Sequence, residues 1–347
     1  MSEKSALRAE KVSGRLYDTY ISGKGVYCLD GSGLRSLGLE DRRVSAIHAW
    51  RDQRGEVVVL AGTYGNGIFR SEDGGEHWSE ANEGLSAPVL RTIQPDPTAP
   101  GAIICGTEPA RAFRSTDGGR SWQELSGITE LEGYGEWYLP YSPRAGALRN
   151  FYSPPGEPEH LFGSVEVGGL LESRDGGRSW SYVEVGPDHD IHWITGDPTD
   201  ANRLYAALGY AGMPSQRDLP EKPKFGGVGR SRNGGGSWDK LLTDYTRAVL
   251  VLPDRPNMVL AGPSPHVGRE GRIEVSFDGG DHWLPASDGI DTPMEDMVER
   301  FYLAPDDIVW AVTSGGRVFT ASPENWQWSS PVGEDHLEAE AVAFVGR

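Results

Sequence analysis

The amino-acid sequence predicts an all-β fold, a seven-bladed β-propeller whose last blade is closed by strands from both chain ends. Three observations predict it. One eight-residue pattern recurs five times along the chain. Each copy closes a set of short strand-like runs. The two ends of the chain hold complementary fragments of one further blade. Repeats of this period mark architectures in which each unit buries its apolar face only by stacking on its neighbours.

The pattern is Ser-x-Asp-Gly-Gly-x-x-Trp, starting at Ser71, Ser115, Ser173, Ser231 and Ser276, with Asn233 replacing the aspartate in the fourth copy. The starts lie 44, 58, 58 and 45 residues apart. That spacing fits one four-stranded sheet per period, with insertions in the middle two. Asp-Gly-Gly supplies residues that tolerate positive φ, and the aspartate side chain can accept bonds from turn amides. The tryptophan then covers the turn with a large apolar face. Asp73, Asp117, Asp175, Asn233 and Asp278 are therefore expected to shape hairpins. The later ligands of an EF-hand loop are missing.

The pattern resembles the Asp-box (BNR) repeat of sialidases, other glycosidases, sortilin-type receptors and photosystem II assembly-factor propellers. The resemblance covers nearly the whole chain and implies the propeller fold. It does not choose among enzymes, receptors and assembly factors, because function resides in sites rather than folds.

The blades are expected at 43–80, 88–126, 147–185, 190–243, 245–287 and 297–330, the sixth ending in a degenerate copy at Trp328. Residues 15–40 give three strands without an inner one, and residues 335–347 give one strand without partners. Joining them makes the seventh blade and removes the exposed edges of an open ring.

Composition agrees with this. Among 347 residues there are 47 Gly, 24 Pro and 11 Trp, as many short strands and tight turns require. No apolar run approaches the roughly 20 residues of a membrane helix, so no membrane contact is expected. The first residues carry mixed charge and no apolar stretch, unlike a secretory signal. With only Cys28 and Cys105, assigned to different blades, the chain is expected in the reducing cytoplasm. The net charge of -18 repels phosphodiester backbones, so nucleic acid is not an expected partner.

Against that acidity a cluster of arginines needs a reason. Counting six residues back from the proline after each inner strand (Pro97, Pro155, Pro198, Pro253) gives Arg91, Arg149, His192 and Arg247. The sixth blade, one residue shorter to Pro305, gives Arg300, and His48 is the nearest candidate in the first. These positions are expected at one mouth of the ring. Two guanidinium groups about 8 Å apart repel by roughly 2 kcal/mol at an effective dielectric near 20, so something must offset the cluster. Loops on the same face bring Glu108 and Glu166, with Tyr64, Tyr210 and His266 at matching places. One reading is an interleaved ring of Arg–Glu pairs lining a wet channel. The other is a grip on an anionic ligand, which a planar guanidinium holds bidentately. Insertions at 128–147, with Tyr134, Trp137, Tyr138 and Tyr141, and at 211–228 are expected as walls or lids.

Two functional classes follow. In the first, the chain is a hydrolase or lyase acting on a small anionic substrate. Arg91, Arg149, Arg247 and Arg300, with Tyr64, His48 and His266, would bind it, and His192, Glu108, Glu166 and Tyr210 would do the chemistry. A two-carboxylate glycosidase needs Glu108 and Glu166 roughly 5–9 Å apart. His48, His192 and His266 would form a divalent metal site if they met across the mouth. The sialidase likeness implies three arginines on a carboxylate and a Tyr–Glu pair, for which Tyr64 or Tyr210 would serve. The Phe-Arg-Ile-Pro segment of those enzymes is absent, since Phe69 and Arg70 belong to a repeat strand. In the second class the propeller is non-catalytic and binds a protein partner.

Overall fold

The computed structural model describes residues 16–139, 145–186, 189–209, 226–333 and 337–347. Seven antiparallel sheets follow one another along the chain, six of four strands and one of three, and form a seven-bladed β-propeller. Among the described residues helical geometry is limited to single 3-10 turns at Ser126–Ile128 and Tyr134–Glu136. No helix is long and apolar enough to cross a membrane.

The innermost strands are Val44–Arg51, Val89–Pro95, Ala147–Tyr152, Ile191–Asp197, Tyr245–Leu252, Val298–Leu303 and, in the last blade, Ala341–Gly346. They pack side by side around the axis and supply the wall of a central channel. Their free edges need partners for backbone groups, and amide side chains provide some. Asn150 donates to the Ile194 carbonyl at 2.8 Å and accepts from its N–H at 3.0 Å, and Gln94 brackets Phe151 in the same way.

The recurrent turn is built as its residue types require. Ser71 Oγ donates to Asp73 Oδ1 at 2.7 Å and accepts from the Gly75 amide at 2.8 Å, while Asp73 Oδ1 takes the His77 amide at 3.0 Å. The same bonds recur around Asp117, Asp175 and Asp278, and Asn233 keeps them with its amide oxygen. Gly74 and Gly75 have φ of 73° and 101°. A Cβ on Gly75 would lie 2.7 Å from the Leu37 side chain, so the turn presses on the preceding blade.

The tryptophans join blades in two ways. Trp78, Trp122 and Trp328 donate to Leu37, Ala81 and Ala286 carbonyls of the preceding blade, at 2.7, 3.0 and 2.7 Å. Trp180, Trp238 and Trp283 donate within their own turns. Arginines of the third strands add a second tie: Arg70, Arg114 and Arg230 donate to the Gly118, Gly176 and Gly279 carbonyls of the following blade. The sixth blade lacks a full outer strand and keeps only a bridge between Thr320 and Ser329.

Closure comes from both ends of the chain. Tyr17–Gly23 pairs antiparallel with Ala341–Gly346, from Tyr17 opposite Gly346 to Ser22 opposite Ala341. Cys28 and Cys105 are buried free thiols in the last and second blades.

Candidate functional site

A backbone irregularity sets the side chains at the mouth. Six inner strands open with a register shift: Val44/Ala46, Leu90/Thr92, Leu148/Asn150, Ile191/Trp193, Thr246/Val249 and Val298/Arg300. The residues left out of the ladder are Ser45, Arg91, Arg149, His192, Arg247 (with Ala248) and Glu299. A bulge frees its extra residue and re-aims the side chain. Ser45, Arg91, Arg149, Arg247 and Glu299 accordingly line a mouth cavity of about 800 Å³, together with Glu166, Tyr64 and Arg300.

Charges alternate around this mouth. Arg91 lies 3.4 Å from both Glu108 and Glu166, and Arg149 reaches Glu166 at 2.8 Å. Arg149 also pairs with Glu299, which receives Arg247 at 2.7 Å. Glu108 is fully buried and the others nearly so. Tyr64 donates to Glu108 at 3.3 Å, and its ring lies under the Arg43 and Arg91 guanidinium groups. Beyond Arg247 the network continues inward: Arg247 Nε donates to the Tyr245 hydroxyl at 3.0 Å, which lies 2.9 Å from His192 Nε2, itself 3.2 Å from Asp190.

Burial alone would raise the Glu166 carboxyl. The Arg149 guanidinium, helped by His192, Arg91 and Arg247, overrides it and holds the group down at about 2. Glu299 is likewise held well below the ordinary range, burial being outweighed by Arg247 and Arg149. Burial lifts the Tyr245 phenol above its usual range. Glu166 and Glu299 thus stay ionised, a state suited to clamping arginines and unsuited to donating protons.

Arg300 differs from the other mouth arginines. Its residue is 7% exposed, its Nε has no hydrogen-bond partner, and no carboxylate pairs with it among the described residues. One Nη donates across the axis to the Arg91 carbonyl at 2.8 Å. The register expected from Pro305 is also corrected by one position. Glu299 is the bulge residue of the sixth strand, while Arg300 sits in the ladder opposite Val312.

Three further expectations change. His48 is not at the mouth: Ser45 holds that place, and His48, three residues on, faces the channel and stacks on Trp50 at 5.1 Å. Burial pushes its imidazole down to about 4. His266 is half-exposed, 3.6 Å from Glu270, and does not line the mouth. His48, His192 and His266 therefore form no metal cluster. Among the described residues the donors that converge are Glu166, Asp190 and His192, all buried and within 4.8 Å of one another. Arg91 and Arg149 already share that Glu166, so a divalent ion there would face two guanidinium groups. His192 has no exposed side-chain surface. Tyr210 and Tyr141 lie outside the described residues, as does the second insertion up to residue 225. The first insertion buries Trp137 against Leu148, Phe151 and Val165, and none of its described residues lines the mouth.

Below the mouth the channel encloses about 420 Å³. Its wall follows the same register. The residues three positions past each bulge residue are His48, Gln94, Tyr152, Thr195, Leu250 and Tyr302, and all of them line it.

This geometry can be set beside known proteins. No protein-family model and no curated protein sequence matches the chain. Solved structures do. The GH74 xyloglucanase of Xanthomonas campestris shares 18% identity over 96% of this chain, with a TM-score of 0.64. The GH74 enzyme of Niastella koreensis shares 17% over 96%, with a TM-score of 0.59. YCF48 bound to a D1 peptide shares 17% over 89%, with a TM-score of 0.57. What these likenesses establish is the fold. The chain spans about half the length of those GH74 structures and 90% of the YCF48 structure. Propellers of this shape thus include glycoside hydrolases and a peptide-bound protein.

Proposed function

We propose that this chain is a binding propeller whose mouth receives an anionic group carried by a peptide or protein partner. One observation carries the reading. The mouth carboxylates Glu166 and Glu299 are clamped ionised by arginines, whereas Arg300 is a buried cation with no carboxylate partner among the described residues. A glycosidase needs one carboxyl held protonated near neutral pH to release the leaving group, and a carboxyl at about 2 does not serve. A buried cation without a counter-ion costs several kcal/mol on the order of a broken pair, and an incoming carboxylate would remove that cost.

The turn pattern, read as an Asp-box repeat, fits either class, and the peptide-bound YCF48 shows the same architecture in a binding role. Two buried thiols fit a reducing compartment such as the cytoplasm. The enzyme reading would rest on His192 as the base. Its Nε2 already meets Tyr245 and Asp190 and its side chain is enclosed, so a substrate proton has no approach to it.

The reading is tested by melting the protein with citrate, sugar phosphates and a short acidic peptide, and by incubating it with xyloglucan and aryl glycosides. A ligand that binds only the folded state raises the melting temperature. We expect a rise with the acidic peptide and citrate that falls with added salt, and no turnover. Release of sugar above an enzyme-free blank, or no shift with any anion, would overturn it.

A further inference from the structure

We infer that the central channel is a second binding site, for an aromatic monocarboxylate whose head meets Arg300 and whose ring lies among the inner strands. The proposal shares Arg300 with the mouth reading but uses a different cavity, so the two can fail separately.

Arg300 stands at the junction. It lines both the mouth and the channel. It is nine-tenths buried, lacks a partner on Nε, and donates from one Nη to a backbone carbonyl. The other mouth arginines that reach into the ring, Arg91, Arg149 and Arg247, each face at least one glutamate. The unmatched charge here is therefore single, which suits a carboxylate better than a phosphate dianion.

The channel supplies the other half of the ligand. Trp193, one position past its bulge residue as Arg300 is past Glu299, lines it together with Leu250, Tyr302, Leu303 and Phe344. All five stay only half-buried although they sit at the centre of the ring. Apolar surface left wet in an enclosed space is surface that a ligand can cover. About 420 Å³ is within the range of small-molecule sites. Along the channel Thr92 and Asn150 share the register of Arg300, and His48, Gln94 and Thr195 lie two positions deeper. Burial holds His48 neutral at pH 7, so it adds no second charge to the site.

The test compares 3-phenylpropionate, its amide, acetate, inorganic phosphate and citrate by calorimetry and by thermal shift, on the wild type and two variants. Arg300→Met removes the charge at similar length. Leu250→Trp fills the channel and leaves the mouth residues in place. We expect phenylpropionate to bind the wild type, with the amide and acetate each at least about tenfold weaker, the loss of one charge-assisted contact or of the ring's burial. Binding should be lost in both variants, while citrate still binds Leu250→Trp. Equal binding of acid and amide, or full binding by Leu250→Trp, overturns the proposal. So does no binding of phenylpropionate by the wild type. If citrate binds in that last case, the channel proposal alone fails; if citrate also fails, the mouth reading falls with it. Should Arg300→Met not fold, Leu250→Trp and the acid–amide comparison decide.

Discussion

At the scale of single residues, Glu299 is the side chain on which the mouth depends most. It receives both Arg149 and Arg247, and removing one partner of a buried ion pair strands the other. Glu299→Gln should lower stability by about 3 kcal/mol, the low end for a broken buried pair, since Arg149 keeps Glu166 while Arg247 loses its carboxylate. Glu340→Gln, which breaks the more exposed pair with Arg43, should cost under about 1 kcal/mol. Denaturant midpoints of the two variants measure this, and equal losses would mean that the ring is not a buried network. His48 gives a second, independent signal. Its folded pKa of about 4 lies below the ordinary value of 6.5, so between those pH values the unfolded chain binds a proton that the folded chain refuses. Stability should therefore fall as pH drops from 6.5 towards 4 and then level off for this group. His48→Gln should flatten that slope and leave stability at pH 7 nearly unchanged. Glu166 and Glu299, depressed below 4.5, lose their contribution only at lower pH. His77 and His282, raised by Asp73 and Asp278, act in the opposite sense, losing theirs as pH rises above 6.5. A melting-temperature profile from pH 7 to 4.5 reads the difference.

At the scale of the element, the turn and the inner strand contrast in how plainly they were written in the sequence. The turn is local: every atom that shapes it lies within eight residues, so Ser, Asp and two glycines announce it, and Trp328 still fills its place in the degenerate sixth copy. The bulge is not local. It is a mismatch between two strands, two residues facing one, and a proline count along one strand cannot reveal where the extra residue falls. The proline count therefore meets the bulge at Arg91, Arg149 and Arg247 but falls on Arg300 instead of Glu299, and the nearest histidine, His48, stands three residues past Ser45. The missing residue before Pro305 was the one available sign that the sixth strand differs. The turn also offers a prediction of its own. In the second and third copies Ser121 and Ser179 donate to an aspartate oxygen at 2.6 Å, whereas in the fourth Asn233 must donate to Ser237 at 3.0 Å. Asn233→Asp restores a charge-assisted bond and should stabilise by about 0.5–1 kcal/mol, a rise of roughly 1–3 °C in a chain of this size. The gain should shrink as pH falls towards 2, where Asp175 at the equivalent position of the third turn titrates. An unchanged melting temperature at pH 7 would show that the hydroxyl already finds an equivalent partner in water.

At the scale of the whole molecule, the ring distributes stability instead of concentrating it. Each blade buries its faces only against two neighbours, and the cross-blade bonds of Trp78, Trp122, Arg70 and Arg114 all run between adjacent sheets. The last blade differs, because its inner strand arrives from the far end of the chain. Ala341, Val342 and Val345 are buried there, in two clusters shared with the first and sixth blades. Cutting the chain after Glu340 would remove six residues, Ala341–Gly346, and Arg347. It would also bare the edge of Tyr17–Gly23, uncover Ile21 and Tyr20, and leave the sixth and first blades without a common neighbour. Exposed edges and apolar faces favour association, so the truncated protein should melt far lower, over a broader range, and aggregate. The deficit is one strand with a defined register, Tyr17 opposite Gly346 to Ser22 opposite Ala341, so it should be repairable in trans. A synthetic peptide of residues 337–347 should raise the melting temperature of the truncated chain in a concentration-dependent way, since it binds only the folded ring. The same peptide with Val342→Asp and Val345→Asp should not. If the truncated chain melts like the intact one, the ring is held by its six other blades and closure is incidental. If it melts lower but neither peptide restores it, the strand must be covalently attached for the ring to assemble.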